Sequence, residues 1–329
     1  MVERDCQLVQ ADLPGCFPEG FYCTTNIQTQ VRMKGDWIDA QDQEMDCGIK
    51  VDLPSGRVNC LPMTEVQVGD WIVAGKEGLR VLTRKTDEEK DTFEFMGSAV
   101  SSEKPKGVTV RAIGQAMREC RDAGLKILAV LGPAVVHTGG AEWICRMIRG
   151  GWLHLLFSGN ALATHDIETA LYGTSLGIEV ATGRCAPHGH ENHLRTINTI
   201  RRLGGIDQAV KAGLLKSGIM YECVKHQIPF ILGGSIRDDG PLPEVITDVL
   251  EAQKAMRAHV PSLGFALMVA STLHSIATGN LLPEWVRVAC ADINPSTVTK
   301  MLDRGSHQTM GVVTDSEPFL RELAGELGC

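Results

Sequence analysis

A chain of 329 residues that is 43% hydrophobic and 22% charged carries the apolar material of a folded protein with a substantial core, enough for two domains or one with a large appendage, and excludes disorder as the default. Its net charge of −8, with no lysine- or arginine-rich block, argues against nucleic acid or an anionic membrane as the main partner. No apolar run is long enough to span a bilayer, the opening Met1–Cys6 stretch offers no apolar run of the kind a signal peptide uses, and eleven scattered cysteines without a C-x-x-C pair read as reduced thiols, so a cytoplasmic protein is expected.

From about residue 17 to 83 the sequence is short-phrased, β-branched and punctuated by glycine and proline every eight to twelve residues. Gln30–Met33 before Lys34-Gly35-Asp36, Gly48–Asp52 before Pro54-Ser55-Gly56, and Gly69–Ala74 predict a small antiparallel sheet or barrel. After Pro105 the rhythm becomes strand and helix in alternation. Helices are predicted at Val108–Ala123, Ala141–Ile148, Ala161–Leu171, His193–Leu203, Val245–His259 and Ser296–Asp303. Strands are predicted at Lys126–Leu131, Leu153–Phe157, Pro229–Leu232, Phe265–Val269 and Val286–Ala291; the segments Met310–Val313 and Pro318–Leu327 complete the alternating set of strands and helices. Apolar strands without alternation, separated by helices, define an α/β domain around a parallel sheet covered on both faces. The division is therefore residues 1–100, a small β-rich subdomain, and 101–329, an α/β domain.

Parallel sheets bind ligands beyond the carboxyl ends of their strands, which directs attention to the loops after Leu131, Phe157, Leu232, Val269 and Ala291. Gly132–Gly140 brings Thr138, Gly139 and Gly140 to the start of a helix, where backbone N–H groups approach a phosphate; the same glycines also suit a tight strand–helix turn. Asn160 and Ala161 open the helix that carries His165, Asp166 and Glu168, and Asn160 equally suits a helix cap. Ser235-Ile236-Arg237-Asp238-Asp239 offers a guanidinium to clamp a carboxylate and aspartates to hold an ammonium or take a proton. Asp292, with Asn294 after it, ends a strand in the manner of a ribose-binding carboxylate or of a helix cap. His188, His190 and His193 fall within six residues, but no further Cys, His or Glu motif completes a ligand set, so no metal is expected.

Taken in order, longer strings resemble one family. They include Phe17–Tyr22, Gly132–Gly140, Gly159–Ala161 with His165–Glu168, Leu171–Ser175, Asn192–Leu194, Lys216–Glu222, Gly234–Pro243, Asp292–Pro295 and Leu302–Ser306. They look like the archaeal-type ornithine cyclodeaminases, a module that also forms the C-terminal part of bifunctional arginine dihydrolase/ornithine cyclodeaminases and carries the LOR/SDH conserved-region label. The resemblance implies a nucleotide-binding domain similar to deoxyhypusine synthase, bound NAD, a homo-oligomer, and conversion of L-ornithine to L-proline and ammonia with the NAD recycled. Longer members carry an extra small domain ahead of the Phe17 segment, which about sixteen residues precede here; its contribution is expected from another polypeptide or not at all.

That chemistry needs a carboxylate clamp, acidic groups for two ammoniums, an acid/base and a closed pocket. Arg237 suits the clamp, Asp238 and Asp239 the ammonium partners, and His137, His165 or Asp166 the acid/base. Thr138, Gly139, Gly140, Asn160, Ala161, Ser235, Asp292 and Asn294 are the candidates for the dinucleotide. Rival readings are an NAD-dependent amino-acid dehydrogenase, a cyclodeaminase of lysine or a related diamine, and a silent NAD-binding partner of an arginine-degrading enzyme.

Overall fold

A computed structural model describes residues 4–82, 106–180, 182–187, 189–238, 240–304 and 309–329. These fall into two compact units: the described part of Met1–Gly97 with Gly279–Trp285, and the described part of Ser98–Thr278 with Val286–Cys329. The short segment Gly279–Trp285 is one that a division at residue 100 does not assign to the first unit.

The first unit holds β1 (Gln7–Gln10), β2 (Thr29–Met33), β3 (Asp36–Asp39), β4 (Gly48–Asp52), β5 (Arg57–Leu61), β6 (Trp71–Ala74) and β7 (Leu79–Val81). They form two antiparallel sheets, in the orders β1-β6-β4-β5 and β3-β2-β7. The β4–β5 hairpin shows why. Ile49 and Val51 alternate with Lys50, and their register partners Cys60 and Val58 are buried with them against Val31 and Val73. Each such aliphatic contributes about 1.5–3 kcal/mol on burial. The turn between the strands closes through Gly56 at φ +69°, a left-handed position that glycine adopts without strain.

In chain order the remaining elements are α1 (Lys106–Asp122), β8 (Lys126–Leu131), α2 (Ala134–His137), α3 (Ala141–Arg149), β9 (Leu155–Gly159), α4 (Asn160–Tyr172), β10 (Thr174–Ser175), β11 (Ile178–Glu179), α5 (Asn192–Leu203), α6 (Ile206–Lys211), α7 (Ile219–Lys225), β12 (Phe230–Gly233), β13 (Val245–Ile246), α8 (Val249–Arg257), β14 (Leu263–Val269), α9 (Leu273–Leu281), β15 (Arg287–Asp292), α10 (Pro295–Arg304), β16 (Thr309–Val313) and α11 (Ser316–Glu326). Seven of these strands make one parallel sheet in the order β13-β12-β9-β8-β14-β15-β16. Every residue of central β14 is buried, which is why its sequence shows no alternation. Apart from the edge strand β13, the chain runs outward from β8 through β9 to β12, then restarts at β14 and runs the other way. This is the order of doubly wound nucleotide-binding sheets, and the winding reverses between β8 and β14.

One predicted helix is corrected. Val245 and Ile246 are not helical but pair in parallel with Leu232 and Gly233. The helix begins at Val249, because the Asp248 carboxylate accepts hydrogen bonds from the N–H groups of Leu250 and Glu251 and so caps it. The helices α2, α6, α7 and α9 and the strands β1, β10 and β11 were not among the predicted elements. Among the described residues no helix is long and apolar enough to cross a membrane.

Candidate active site

The crevice at the winding reversal is made by backbone. Gly132 N–H, just past β8, donates to the Val269 carbonyl at 2.9 Å, and Ala270, just past β14, donates to the Ala291 carbonyl at 2.9 Å. A Cβ on Gly132 would lie 1.7 Å from the Ala270 carbonyl oxygen, so only glycine lets these two loops part at this spacing. Ala270 itself holds φ +51°, a conformation uncommon for a residue with a side chain.

From Gly132 the chain makes the single turn α2 and enters α3 through Thr138, Gly139 and Gly140. Gly139 holds φ +84° and has open space where a Cβ would point. Gly140 is packed instead: a Cβ there would meet Leu320 Cδ1 at 3.0 Å and the Val135 carbonyl at 3.1 Å. The Thr138 hydroxyl is committed to the protein, lying 2.9 Å from the Ala134 carbonyl and 2.8 Å from Ser316 Oγ. On the far side of the crevice, Asp292 ends β15 with Oδ1 accepting from Asn294 N–H at 2.8 Å, while its other oxygen has no partner among the described residues. Asn294 caps α10 by accepting from Ser296 N–H at 3.0 Å.

The loops after β9 and β12 lie side by side. Asn160 is buried, and its Oδ1 accepts from Leu242 N–H at 3.0 Å and from the Thr164 hydroxyl at 3.3 Å, pinning the end of the β12 loop to α4. Ala161 follows, half-buried. Within the β12 loop, Asp238 accepts from Ser235 N–H at 2.8 Å and Ser235 Oγ from Arg237 N–H at 3.2 Å, so Asp238 and Ser235 shape the loop that presents Arg237. The Arg237 side chain is exposed and makes no ion pair among the described residues. Asp239 lies outside the described residues.

A second cluster is built on α4. His165 Nδ1 lies 2.8 Å from Glu168 Oε2, and Glu168 Oε1 accepts from the Thr174 hydroxyl at 2.8 Å and from Gly177 N–H at 3.4 Å. Asn192 Nδ2 donates in turn to Thr174 Oγ1 at 2.9 Å. Burial works against the Glu168 carboxylate, but the hydrogen bonds from His165 and Thr174 outweigh it and hold the group below the usual carboxylate range. The His137 ring meets the His165 ring edge-on at 4.8 Å, its Nδ1 is 2.7 Å from Ser175 Oγ, and His193 lies 6.3 Å beyond. Burial, with His165 beside it and only partly offset by Glu168, pushes His137 down to about 4, so it is neutral near pH 7.

Asp166 does not face this cluster. Its two oxygens accept from Ile219 and Met220 N–H, both at 2.8 Å, and close the start of α7. Burial lifts its carboxyl to about 6 in spite of those two bonds. With both oxygens taken, Asp166 braces α7, and the expectation that it serves as acid/base is revised. Gly218, at φ +101°, leaves room for that carboxylate, since a Cβ there would come 2.7 Å from Asp166 Oδ2.

Two further residues, Ser175 and His274, were absent from the candidates read off the sequence, and Glu168 was noted there beside His165 without a role of its own. Glu168 and Ser175 complete the polar surroundings of the two histidines. His274 reaches from the first turn of α9 to within 3.6 Å of the position a Cβ would take on Gly233. The readable signal for His274 was a pair of glycines, Gly159 and Gly233, at the ends of two strands. Among the described residues no group of three or more His, Cys, Asp or Glu side chains is placed to hold a metal, and His188 lies outside them. All eleven cysteines are free thiols.

A doubly wound sheet whose crevice is flanked by a glycine turn into a helix and by a strand-end aspartate defines a nucleotide-binding α/β protein. The chain belongs to the arginine dihydrolase ArgZ-like C-terminal family: the profile of its Rossmann-fold region matches residues 111–323 and that of its first region matches residues 28–110. It is 50% identical over 325 residues to the ornithine cyclodeaminase of Methanothermobacter thermautotrophicus, covering 98% of this chain and 79% of that one. With the bifunctional arginine dihydrolase/ornithine cyclodeaminase AgrE of Nostoc sp. it shares 43% identity over 331 residues, 99% of this chain and 47% of AgrE. A conserved LOR/SDH protein of Methanococcus maripaludis S2 superposes with a TM-score of 0.94 at 44% identity, covering 99% of this chain and 98% of that one. AgrE in ternary complex with ornithine and NAD+ gives a TM-score of 0.67 at 41% identity, covering 99% of this chain and 46% of AgrE.

Proposed function

We propose that this protein is an NAD-dependent ornithine cyclodeaminase that turns L-ornithine into L-proline and ammonia and returns its NAD to the oxidised state within each cycle. The observation that carries the reading is the arrangement along one sheet edge of a dinucleotide crevice at β8/β14 and an arginine-bearing loop after β12, in a chain that matches ornithine cyclodeaminases over most of their length.

The residues present fit the cofactor. Gly139 has an open face at the turn into α3, and Asp292 keeps one oxygen free for a ribose hydroxyl. Gly140 and the N–H groups of α3 suit the pyrophosphate. Asn160, Ala161 and Ser235 would line the nicotinamide end, while Thr138 and Asn294 act by holding their loops in place. When bound, NAD supplies the hydride acceptor for the amine-bearing carbon and the donor that reduces the cyclic imine.

On the substrate side Arg237 holds the carboxylate in a planar fork, and Asp238, with Asp239 beside it in sequence, answers the ammonium groups. His165, oriented by Glu168, and its neutral neighbour His137 move protons as the second amine attacks and ammonia leaves. The finer parts of the reading are a nucleotide-binding domain of the deoxyhypusine synthase kind, a homo-oligomeric assembly, a cytoplasmic location and a role in proline formation from arginine breakdown.

The test is direct. Purified protein given L-ornithine and a catalytic quantity of NAD should release ammonia and proline in equal amounts with no steady growth of NADH absorbance. Steady NADH growth would mean an ordinary dehydrogenase, and no product at all would leave only a binding protein.

A further inference from the structure

His274 stands in the first turn of α9, after β14, yet its ring lies over the ends of two other strands. A Cβ on Gly159 would come 2.8 Å from its Cε1, and one on Gly233 would come 3.6 Å from its Nε2. Gly159 and Gly233 are register partners on β9 and β12, so two neighbouring strands both end in a residue without a side chain where the imidazole sits. Across the sheet the order is β12, β9, β8, β14. The crevice opens between the last two, and the Arg237 loop leaves the first. A ring over β9 and β12 is therefore placed between the cofactor crevice and the substrate loop. Neither of its ring nitrogens has a hydrogen-bond partner among the described residues, although the residue is half-buried. A partly buried imidazole left unpaired is costly unless something else meets it.

We infer that His274 accepts the proton that the substrate's ammonium group must shed before the carbon bearing it can lose a hydride, an assignment that rests on the function proposed above. One N–H bond of the ammonium breaks, its electron pair stays on nitrogen, and the proton passes to the imidazole. The C–H pair then leaves for the oxidised nicotinamide as the nitrogen lone pair forms the C=N bond. An ammonium cannot do this, because it has no lone pair to give. Burial holds His274 below the ordinary imidazole range, with the Asp238 carboxylate opposing, so the ring is neutral and open to a proton near pH 7. The start of α9 disfavours the cation further. Of the elements packed against the ring, the β12 loop presents Asp238, while the ends of β9 and β12 present only glycine.

His274→Gln and His274→Asn remove the base and leave the crevice intact. We expect turnover of L-ornithine to fall by about 100-fold or more, with loss of the acid limb of its pH profile. The melting shift produced by NAD should stay within twofold in ligand concentration. Because NADH and L-ornithine together cannot turn over, a readout independent of activity is available: the ring resonance assigned through His274→Gln should move when both are added to the native protein. An active native enzyme whose His274→Gln variant keeps both turnover and the acid limb overturns the inference, as does an unmoved ring resonance. Failure of the native enzyme to release ammonia would instead remove the function on which the inference rests. Should both variants fold poorly, Gly159→Ala, whose Cβ would displace the ring, and the resonance measurement on native protein decide the matter.

Discussion

Nδ1 of His165 lies 2.8 Å from Oε2 of Glu168, a carboxylate with no exposure to solvent, so one turn of α4 holds both an imidazole and the anion that orients it. The pairing turns Nδ1 toward the anion and fixes the orientation of the ring. Glu168→Gln keeps the shape and removes the charge. Turnover of L-ornithine should drop by about tenfold to a thousandfold while NAD still raises the melting midpoint as in the native protein. Stability should fall by about 1–3 kcal/mol, since the amide cannot accept all the bonds the carboxylate takes. Unchanged turnover would remove the pair from the mechanism.

His137 sets a pH dependence of stability. Its folded value of about 4 lies below the ordinary imidazole value of 6.5, so between those limits the unfolded chain binds the proton more readily than the folded one. The contribution is complete above about pH 6.5 and is lost as the pH falls toward about 4. Denaturant midpoints measured across that window should decline in the native protein and decline less in His137→Gln. Parallel curves for the two would mean that other groups carry the acid sensitivity.

Arg237→Lys keeps the positive charge and loses the fork. Turnover efficiency should fall by about tenfold to a thousandfold, roughly 1.4–4 kcal/mol, with NAD affinity unchanged. A variant that loses NAD binding and keeps its ornithine affinity would move Arg237 from the substrate to the cofactor.

Gly132→Ala probes the crevice itself. The added methyl meets the Ala270 carbonyl, so the loops leaving β8 and β14 must separate, at a cost of about 1–3 kcal/mol. Melting of the free protein and the shift that NAD adds should both be reduced. A normal NAD shift would place the dinucleotide elsewhere.

The central strands were legible because burial on both faces leaves an unbroken apolar run such as Phe265–Val269. The loops at their ends were legible as glycine-rich breaks. Helix α9 was not, since Leu273–Leu281 mixes Ser, Thr, Gly and Asn with its apolar residues and has no polar stripe to mark a face, and His274 was lost with it. The strand at Val245–Ile246 was absorbed into the following helix, although Asp248 and Glu251, three apart, mark where that helix begins. Asp166 misled for a different reason. Beside His165 it reads as chemistry, and nothing local reveals that two N–H groups more than fifty residues away take both its oxygens.

The first unit borrows from far along the chain. Met45 N–H donates to the Asn280 carbonyl at 3.2 Å, and Glu284 N–H donates to the Asn26 carbonyl at 2.9 Å, so residues 280–284 supply backbone partners to a unit whose strands end at Val81. On the ribosome those strands emerge nearly two hundred residues before the segment that completes their bonding. The amino-terminal unit therefore reaches its final form only once most of the polypeptide has been made, and a fragment cut after residue 82 would wait for a strand of chain that never arrives.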